Sequence, residues 1–248
     1  MTAIRCVLRV LAVVACLVVA WWSALAIFAI PPYLMPTPPE VALAFWTDGA
    51  LLASMGWTTL SATLVGLFIA TLGASAIAAL FVQSRALAQA TMPLLIVVRS
   101  TPVAAIAPLM MLILGRGMET SVFVVVLVSF FPILINMMRG LTAADAQSFE
   151  LLHVYGASRW QVIHMLRAPT SLPYLFTGLR IAGATAILGA LLSEWITGNR
   201  GLGLLILESA EMREIDVLWA GICVSIMIAL SLFTLTSAAE RAVLHWKT

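Results

Sequence analysis

Residues able to do chemistry are sparse in this chain, and none is arranged as in an enzyme active site. The three histidines, His153, His164 and His245, have no metal-ligand spacing, and no Ser–His–Asp or paired-carboxylate arrangement is visible. The only lysine is Lys247, which follows Trp246, so the Gly-Lys pair of a phosphate-binding loop is missing. We therefore expect no enzymatic activity, no metal and no cofactor. If ATP drives this protein, another chain must hydrolyse it.

One carboxylate interrupts an apolar stretch near its end. Glu194 stands four residues after Ala190 and just before Thr197, Gly198 and Asn199. A carboxylate within a membrane span is costly and usually faces a cavity or a partner, but the cost falls towards the interface, where it is hydrated. Glu194 is therefore a candidate pathway or gate residue, with a hydrated interfacial side chain as the alternative.

One arginine is the second candidate for a pathway or gate. Arg99 lies in a Val-Val-Arg-Ser-Thr-Pro-Val run, close to Pro102 and Pro108. Prolines that interrupt a membrane helix are tolerated where helices line a cavity or pack tightly, and a cation there attracts an anionic solute. The alternative is that Arg99 extends towards lipid headgroups and has no role in transport.

Composition places the chain in a membrane. Hydrophobic residues make up 62% of it and charged residues 10%, whereas soluble domains carry about 25% charged residues. A net charge of +2 is too small to indicate nucleic-acid binding. The three cysteines, Cys6, Cys16 and Cys223, have no paired spacing that would indicate a disulfide framework. The expected partner is therefore membrane lipid and not nucleic acid.

Six stretches reach the roughly 20 apolar residues that a membrane-spanning helix needs. The predicted spans are 7–30, 57–82, 92–114, 120–138, 175–197 and 217–239. The first has the alternative of a signal peptide, although its apolar core is longer than usual. Two spans carry small residues at every fourth position, which lets helices approach closely in lipid. These stripes are a packing face within one subunit or, in the fifth span, a lining of the pathway or of a dimer seam.

Basic residues orient these spans, because they are enriched in cytoplasmic loops. With the N-terminus in the cytoplasm, eight basic residues fall on that side and three outside. The cytoplasmic set is Arg5, Arg9, Arg85, Arg139, Arg159, Arg167, Arg241 and Lys247. Both termini are therefore predicted to be cytoplasmic, as is the loop at about 142–169.

That loop contains the most polar interior run of the chain, Glu150–Pro169, which we call the elbow. Two capping-box spacings predict two short helices. Thr142 with Asp145, and Ser158 with Gln161, have the separation that satisfies the free N–H groups of a first helical turn.

The elbow also has helix-terminating signals. Gly156 stands where a left-handed residue ends the first helix, and Pro169 is predicted to end the second. Glu150 and Gly156 have a purely structural interpretation as helix-terminus residues. A structured cytoplasmic corner between membrane spans nevertheless needs a partner outside the bilayer.

The elbow resembles a known family at four positions, Glu150, Gly156, Leu166 and Pro169. This pattern is similar to the coupling loop in permease subunits of binding-protein-dependent ABC importers. The resemblance continues over most of the chain and is strongest to the subfamily for sulfonates, taurine and nitrate. Its segments are 93–117, 130–141, 171–182 and 193–206. That subfamily also tends to carry an acid at Glu194.

The resemblance implies an all-α polytopic protein with the transmembrane fold of a type I ABC importer, residues 1–248 forming one permease domain. It further implies a bacterial inner-membrane location, two ATPase subunits, an extracytoplasmic solute-binding protein and an identical second permease. The solute is a small one of the sulfonate, taurine or nitrate kind. The residues implied to contact the ATPase are Glu150, Leu151, Leu152, Gly156, Ala157, Ser158 and Pro169.

One departure from the family pattern and one alternative function remain. The family usually has two alanines after the glutamate, where this chain has Leu151 and Leu152, a difference that bears on the choice of ATPase. The alternative is a secondary transporter driven by an ion gradient. That class predicts intramembrane acids or broken helices repeated in two halves. Glu194 is one candidate acid, but the sequence has no convincing internal repeat.

Overall fold

A computed structural model describes residues 2–245, without the side chains of residues 2–11, 13, 14 and 85. Over this range the chain is helical and contains no strand. The helices are α1 (Thr2–Phe28), α2 (Pro38–Thr47), α3 (Gly49–Gln83), α4 (Arg85–Ser100), α5 (Val103–Leu114), α6 (Met118–Thr142), α7 (Ala146–Val154), α8 (Arg159–Val162), a π-helical turn (Ile163–Arg167), α9 (Ala168–Thr197), α10 (Leu202–Met212) and α11 (Ile215–Val243).

Four helices in the described part of the chain are long and apolar enough to cross a membrane. They are α3, α6, α11 and the continuous helix Arg159–Thr197, which contains α8, the π-helical turn and α9. These helices contain the second, fourth, fifth and sixth predicted spans and extend beyond them at one or both ends. The first predicted span, 7–30, falls largely on α1, whose side chains are described only in part. The all-α membrane fold is confirmed.

The third predicted span, 92–114, is not one straight helix. It is divided into α4 and α5, which are inclined at 93° to each other. The break follows Thr101, whose backbone is extended (φ −73°, ψ 127°) because the ring of Pro102 disfavours helical geometry in the residue before it. Pro108, which was also expected to break the span, lies within α5. Its effect is therefore smaller than that of Pro102.

The bent pair α4–α5 carries the chain from one end of the bundle to the other. At its start, Gln83 lines the same cavity as His153 of the elbow. At its end, Asn199 Nδ2, just after α9, donates a hydrogen bond to the Gly117 carbonyl, 2.8 Å away. Because α9 begins at the elbow and ends beside Gly117, α4 and α5 together act as one bent span.

One core cluster lies between α3, α6 and α9, and the small-residue stripes contribute to it; a second joins α2, α3, α10 and α11. In α3 the stripe is Ala62, Gly66, Ala70, Ala74 and Ala78, and in α9 it is Gly178, Ala182, Ala186 and Ala190; all are buried. A Cβ at Gly66 would stand 2.6 Å from Val125 Cβ, so α3 and α6 touch at backbone distance there. The interpretation as a packing face within one subunit is confirmed for these residues.

Candidate functional site

The first corner of the elbow is a Schellman motif built on Gly156. This glycine has a left-handed φ of 69°. Its N–H donates to the His153 carbonyl at 2.9 Å, and the Ala157 N–H donates to the Leu152 carbonyl at 3.0 Å. These two bonds satisfy carbonyls that the end of α7 would otherwise leave free. The predicted terminating role of Gly156 is confirmed.

The second elbow helix begins at the predicted capping box. The Gln161 N–H donates to Ser158 Oγ at 3.3 Å, and the Ser158 N–H donates to Gln161 Oε1 at 2.7 Å. Two free N–H groups are thereby satisfied reciprocally. A local sequence pattern thus fixes where α8 starts.

The prediction that Thr142 caps the first elbow helix is wrong. Thr142 is the last residue of α6, and its hydroxyl donates back to the Met138 carbonyl at 2.9 Å, a bond that threonine makes within helices. The cap of α7 is Asp145, whose carboxylate accepts from the Ser148 N–H at 2.6 Å. Hydrogen bonds from the side chain and the backbone of Ser148 lower the pKa of Asp145 below its ordinary value of 3.8.

Pro169 does not end the second elbow helix, contrary to the prediction. Ala168 before it keeps helical geometry (φ −65°, ψ −49°), and the helix runs on into α9. The Ala168 N–H donates to the Ile163 carbonyl, five residues back, so the ladder widens into a π-helical turn. Pro169 then lies in the first turn of α9, where proline's missing N–H is tolerated. The elbow is therefore continuous with a membrane-spanning helix.

The elbow presents apolar side chains that the rest of the described chain leaves largely exposed. Leu151 is 58% exposed, Val154 82%, Tyr155 79% and Trp160 68%. Beside them a cavity of about 570 Å³ separates α7 from α8, and Glu150 and His153 are its polar lining residues. Apolar surface of this kind, with a few polar groups, is typical of a protein-docking site.

The seven predicted ATPase-contacting residues do not share one environment. Glu150, Leu151, Gly156 and Ser158 are exposed on the elbow, whereas Leu152, Ala157 and Pro169 are half-buried. Phe149 was not predicted; its ring lies 5.2 Å from the guanidinium carbon of Arg167 and so connects α7 to the π-helical turn. Its position next to Glu150 was the only feature of the sequence that could have indicated a role for Phe149.

Arg99 lies at the end of α4, beside the bend. Its guanidinium carbon stands 4.6 Å from the centre of the Phe131 ring of α6. It also lines a cavity of about 370 Å³ between α4, α5, α6 and α9, where Thr101 and Thr185 are the hydroxyl-bearing residues and most others are apolar. Arg99, which is exposed in the subunit, thus stands at the wall of a mostly apolar recess next to a broken helix.

Glu194 lies in a different environment. It is 1% exposed, so the hydrated interfacial interpretation is wrong. Its Oε2 accepts hydrogen bonds from Thr59 Oγ1 at 3.0 Å and from the Gly203 N–H at 2.8 Å. The carboxylate therefore lies where α3, α9 and the start of α10 meet, at the end of the bundle opposite the elbow.

Sequence reasoning missed an ion pair between two spans. Arg180 of α9 pairs with Glu240 of α11, and each side chain is roughly a quarter exposed. Both residues were visible as charges within or beside apolar stretches, but no spacing rule connects positions 60 residues apart. Among the residues that the structure describes, no group of three or more His, Cys, Asp or Glu could hold a metal ion.

Comparison with known proteins identifies the family. Residues 71–245 match the family described as binding-protein-dependent transport system inner membrane component. The riboflavin transport system permease protein RibX of Chloroflexus aurantiacus is 33% identical over 93% of this chain and 87% of its own length. The formylaminopyrimidine transport permease protein ThiX of Halalkalibacterium halodurans is 31% identical over 87% of both chains. The taurine transport system permease protein TauC of Escherichia coli is 28% identical over 94% of this chain and 87% of its own.

A solved structure shares the fold. A chain of the MetNI methionine ABC transporter in an inward-facing conformation superposes with a TM-score of 0.68 at 18% sequence identity. The superposition covers 78% of this chain and 96% of the other. At this identity the likeness concerns the fold alone, and it confirms the transmembrane fold of a type I ABC importer.

The family match decides between the two classes of transporter considered above. Its members are permease subunits that work with a binding protein and with separate ATPase subunits, so the chain is not itself an enzyme. ATP hydrolysis on a partner therefore replaces the ion gradient as the driving force. This chain belongs to the binding-protein-dependent transport system inner-membrane components, and it is a multi-pass permease subunit of an ABC importer.

Proposed function

We propose that the elbow, Glu150–Pro169, is the surface through which this permease receives the force of ATP hydrolysis. The observation that carries the proposal is the continuity of the elbow with α9. A load on Gly156 or Ser158 passes directly into the continuous 39-residue helix Arg159–Thr197, which contains α8, the π-helical turn and α9. Movement of a docked ATPase would therefore tilt α9, and with it the packed core, as alternating access requires.

The surface chemistry of the elbow supports protein docking. Leu151, Val154 and Tyr155 offer exposed apolar area, and Glu150 offers a charge at the edge of the adjoining cavity. Interfaces commonly combine an apolar centre with a polar rim. Leu151 and Leu152 replace the two alanines of the family pattern, so the matching ATPase surface should accommodate larger side chains.

Orientation and assembly follow from this role. The bias of basic residues supports an elbow and both termini in the cytoplasm, with α10 on the outer side. There it would face the extracytoplasmic solute-binding protein. Two ATPase subunits and two identical permeases complete the proposed assembly, because one elbow engages one ATPase subunit and the pathway forms between permease copies.

The proposed solute is small and carries a negative charge or hydrogen-bond acceptors that the Arg99 guanidinium can bind. The support is the recess that Arg99 lines, where Thr101 and Thr185 are the polar companions in a mostly apolar wall. A sulfonate such as taurine and a larger ring compound such as riboflavin both have polar groups for such a wall. Relatives named for riboflavin, a thiamine precursor and taurine make these three compounds the first to try.

Co-purification tests the elbow. The chain is co-expressed with candidate ATPases from the same genome, and the captured amount is compared between the wild type, Glu150→Ala and Gly156→Pro. We expect the wild type to retain an ATPase and both variants to release it. Glu119→Ala is the matched control, because Glu119 is also exposed but lies at the opposite end of α6. Equal capture by wild type and both elbow variants would refute the docking role.

Uptake tests the solute class. Cells that express the complete importer are given labelled riboflavin, formylaminopyrimidine or taurine, and uptake is compared between Arg99→Lys and Arg99→Ala. If the charge attracts the solute, lysine retains uptake and alanine lowers it. Arg116→Ala is the control, because Arg116 is an exposed arginine outside the recess. Loss of uptake in the control as well would show that the effect is not specific to the recess.

A further inference from the structure

Helix α10 begins without a capping side chain of its own. Its N-cap position is Gly201, which makes no side-chain hydrogen bond. The first N–H groups of any helix lack partners within the helix, and burying them unsatisfied is costly. Leu202 and Gly203, the first two residues of α10, are both buried, so their N–H groups need partners from elsewhere in the protein.

Two other helices supply these partners. The Leu202 N–H donates to Thr59 Oγ1 of α3 at 2.9 Å, and the Gly203 N–H donates to Glu194 Oε2 of α9 at 2.8 Å. Thr59 Oγ1 in turn donates to Glu194 Oε2 at 3.0 Å, which closes the group. Thr59 and Glu194 therefore do for α10 what a local N-cap does for an ordinary helix.

The chain is shaped to admit this carboxylate. A Cβ at Gly201 would overlap the carboxyl group of Glu194, and a Cβ at Gly203 would lie 2.9 Å from Glu194 Cβ. Gly201 is thus required by the close approach of the acid, whereas Gly203 is required chiefly by the backbone of α9, because its Cβ would overlap the Leu191 carbonyl. A negative group at a helix N-terminus is also favoured by the helix dipole.

A second set of polar contacts fixes the same end of α9. Asn199 Nδ2 donates to the Gly117 carbonyl at 2.8 Å and to Ser121 Oγ at 3.4 Å. Ser121 Oγ donates to Ser193 Oγ at 3.4 Å. These bonds attach α6 to the end of α9, so Glu194 projects from a fixed platform and not from a frayed helix end.

We propose that Glu194 is a positioning residue of the importer, which together with Thr59 holds α10 against α3 and α9. The part that concerns transport rests on the function proposed above. In this role the carboxylate does not contact the transported solute. It acts through α10, the helix at the end of the permease opposite the ATPase-docking elbow, and loosening it should impair transport while leaving ATPase capture intact.

A buried reporter on α10 tests the cap. Ser209 is 2% exposed, so in a chain lacking the native cysteines Ser209→Cys reacts with maleimide only when α10 moves away. Glu194→Ala and Thr59→Val should each raise its labelling rate about tenfold or more, because each removes one of the two hydrogen bonds to the start of α10 and also the Thr59–Glu194 bond that orients the remaining acceptor. Glu194→Gln keeps an acceptor oxygen for both donors and should restore slow labelling in large part. Labelling that is unchanged in Glu194→Ala and Thr59→Val overturns the proposal.

A second reporter separates local from global effects. Ala78→Cys is fully buried in α3 near the elbow end, where it should stay protected if only α10 has moved. If both reporters become reactive in Glu194→Ala, the side chain supports the whole fold and the positioning role is refuted. Glu119→Gln is the control. It removes an exposed carboxylate at the end of the bundle where Glu194 lies, and it should change neither labelling rate.

Transport is then measured with taurine and riboflavin as probes. We expect Glu194→Ala to lose at least about 90% of uptake while capturing as much ATPase as the wild type, with Glu194→Gln intermediate. Normal uptake despite rapid labelling at position 209 would overturn the transport role. A wild type that captures no ATPase refutes the proposed function instead, and the labelling rates still decide whether Glu194 caps α10.

Discussion

Alanine at position 156 perturbs the elbow through its backbone alone. Gly156 has φ 69°, and a Cβ built there meets no atom within 4 Å. Steric contact with neighbours therefore contributes nothing, and the cost is that of a left-handed residue with a side chain, about 1–2 kcal/mol. The chain around it is exposed, so little packing holds it in the strained conformation.

The strain should be measurable as weaker ATPase binding. Because little packing constrains the elbow, it can relieve the strain by leaving the Schellman geometry. The fraction of permease molecules whose elbow is able to bind the ATPase then falls. The apparent dissociation constant rises by the reciprocal of that fraction. About 1–2 kcal/mol corresponds to a loss of about 5- to 30-fold in affinity. Proline should lose more, because it also requires φ near −65° and removes the N–H that donates to His153.

The assay is a titration of ATPase against the detergent-solubilised permease, with four variants. We expect affinity to fall in the order Gly156, Gly156→Asn, Gly156→Ala, Gly156→Pro, since asparagine tolerates left-handed geometry better than alanine. Gly49→Ala is the control, because its Cβ also meets nothing within 4 Å but its φ is outside the left-handed range. If Gly156→Ala and Gly156→Pro both bind as tightly as the wild type, the elbow geometry does not determine docking.

Three further predictions concern stability and pH. The pKa of Asp145 in the folded protein lies below its ordinary value of 3.8, so the Asp145 cap should stabilise α7 fully above pH 3.8. This stabilisation should be lost as the pH falls through the lowered pKa of the folded state. Amide exchange at Ser148, measured between pH 2 and 7 with Asp145→Ala as the reference, tests this. Breaking the Arg180–Glu240 pair by Arg180→Met should cost up to about 1 kcal/mol in thermal unfolding, because both side chains are partly exposed. Glu240→Gln should add little in that background. Gly66→Ala should lower the free energy of unfolding by about 1–3 kcal/mol, because the new Cβ would overlap Val125. Val125→Ala in the same chain should recover part of that loss. If the costs of the two substitutions simply add in the double variant, the contact is contradicted.

The sequence alone determined the membrane class and the position of most spans. Lipid offers no hydrogen bonds to the backbone, so a span of this chain must be a helix of about 20 apolar residues. Such runs can be recognised directly from the amino-acid composition. The caps at Gly156 and Ser158 could also be predicted from the sequence. Each is a local hydrogen-bonding pattern within a few residues.

The helix-capping rules gave wrong predictions where the same short segment could begin or end a helix in two acceptable ways. Thr142 and Asp145 are both good N-cap residues, and the end of α6 decided between them by continuing to Thr142. Pro169 ends a helix in isolation, but a widened turn at Ile163–Arg167 let the helix continue. Neither choice is encoded within the few residues that a capping rule considers.

Only the tertiary structure decided what Glu194 does. The sequence marked it as a costly carboxylate, which is a statement about solvation. Its partner Thr59 lies 135 residues away, and Gly203 belongs to a helix whose start has no capping side chain of its own. A buried acid is stabilised by whichever donors packing brings within about 3 Å, and such distances exist only once α3, α9 and α10 have met.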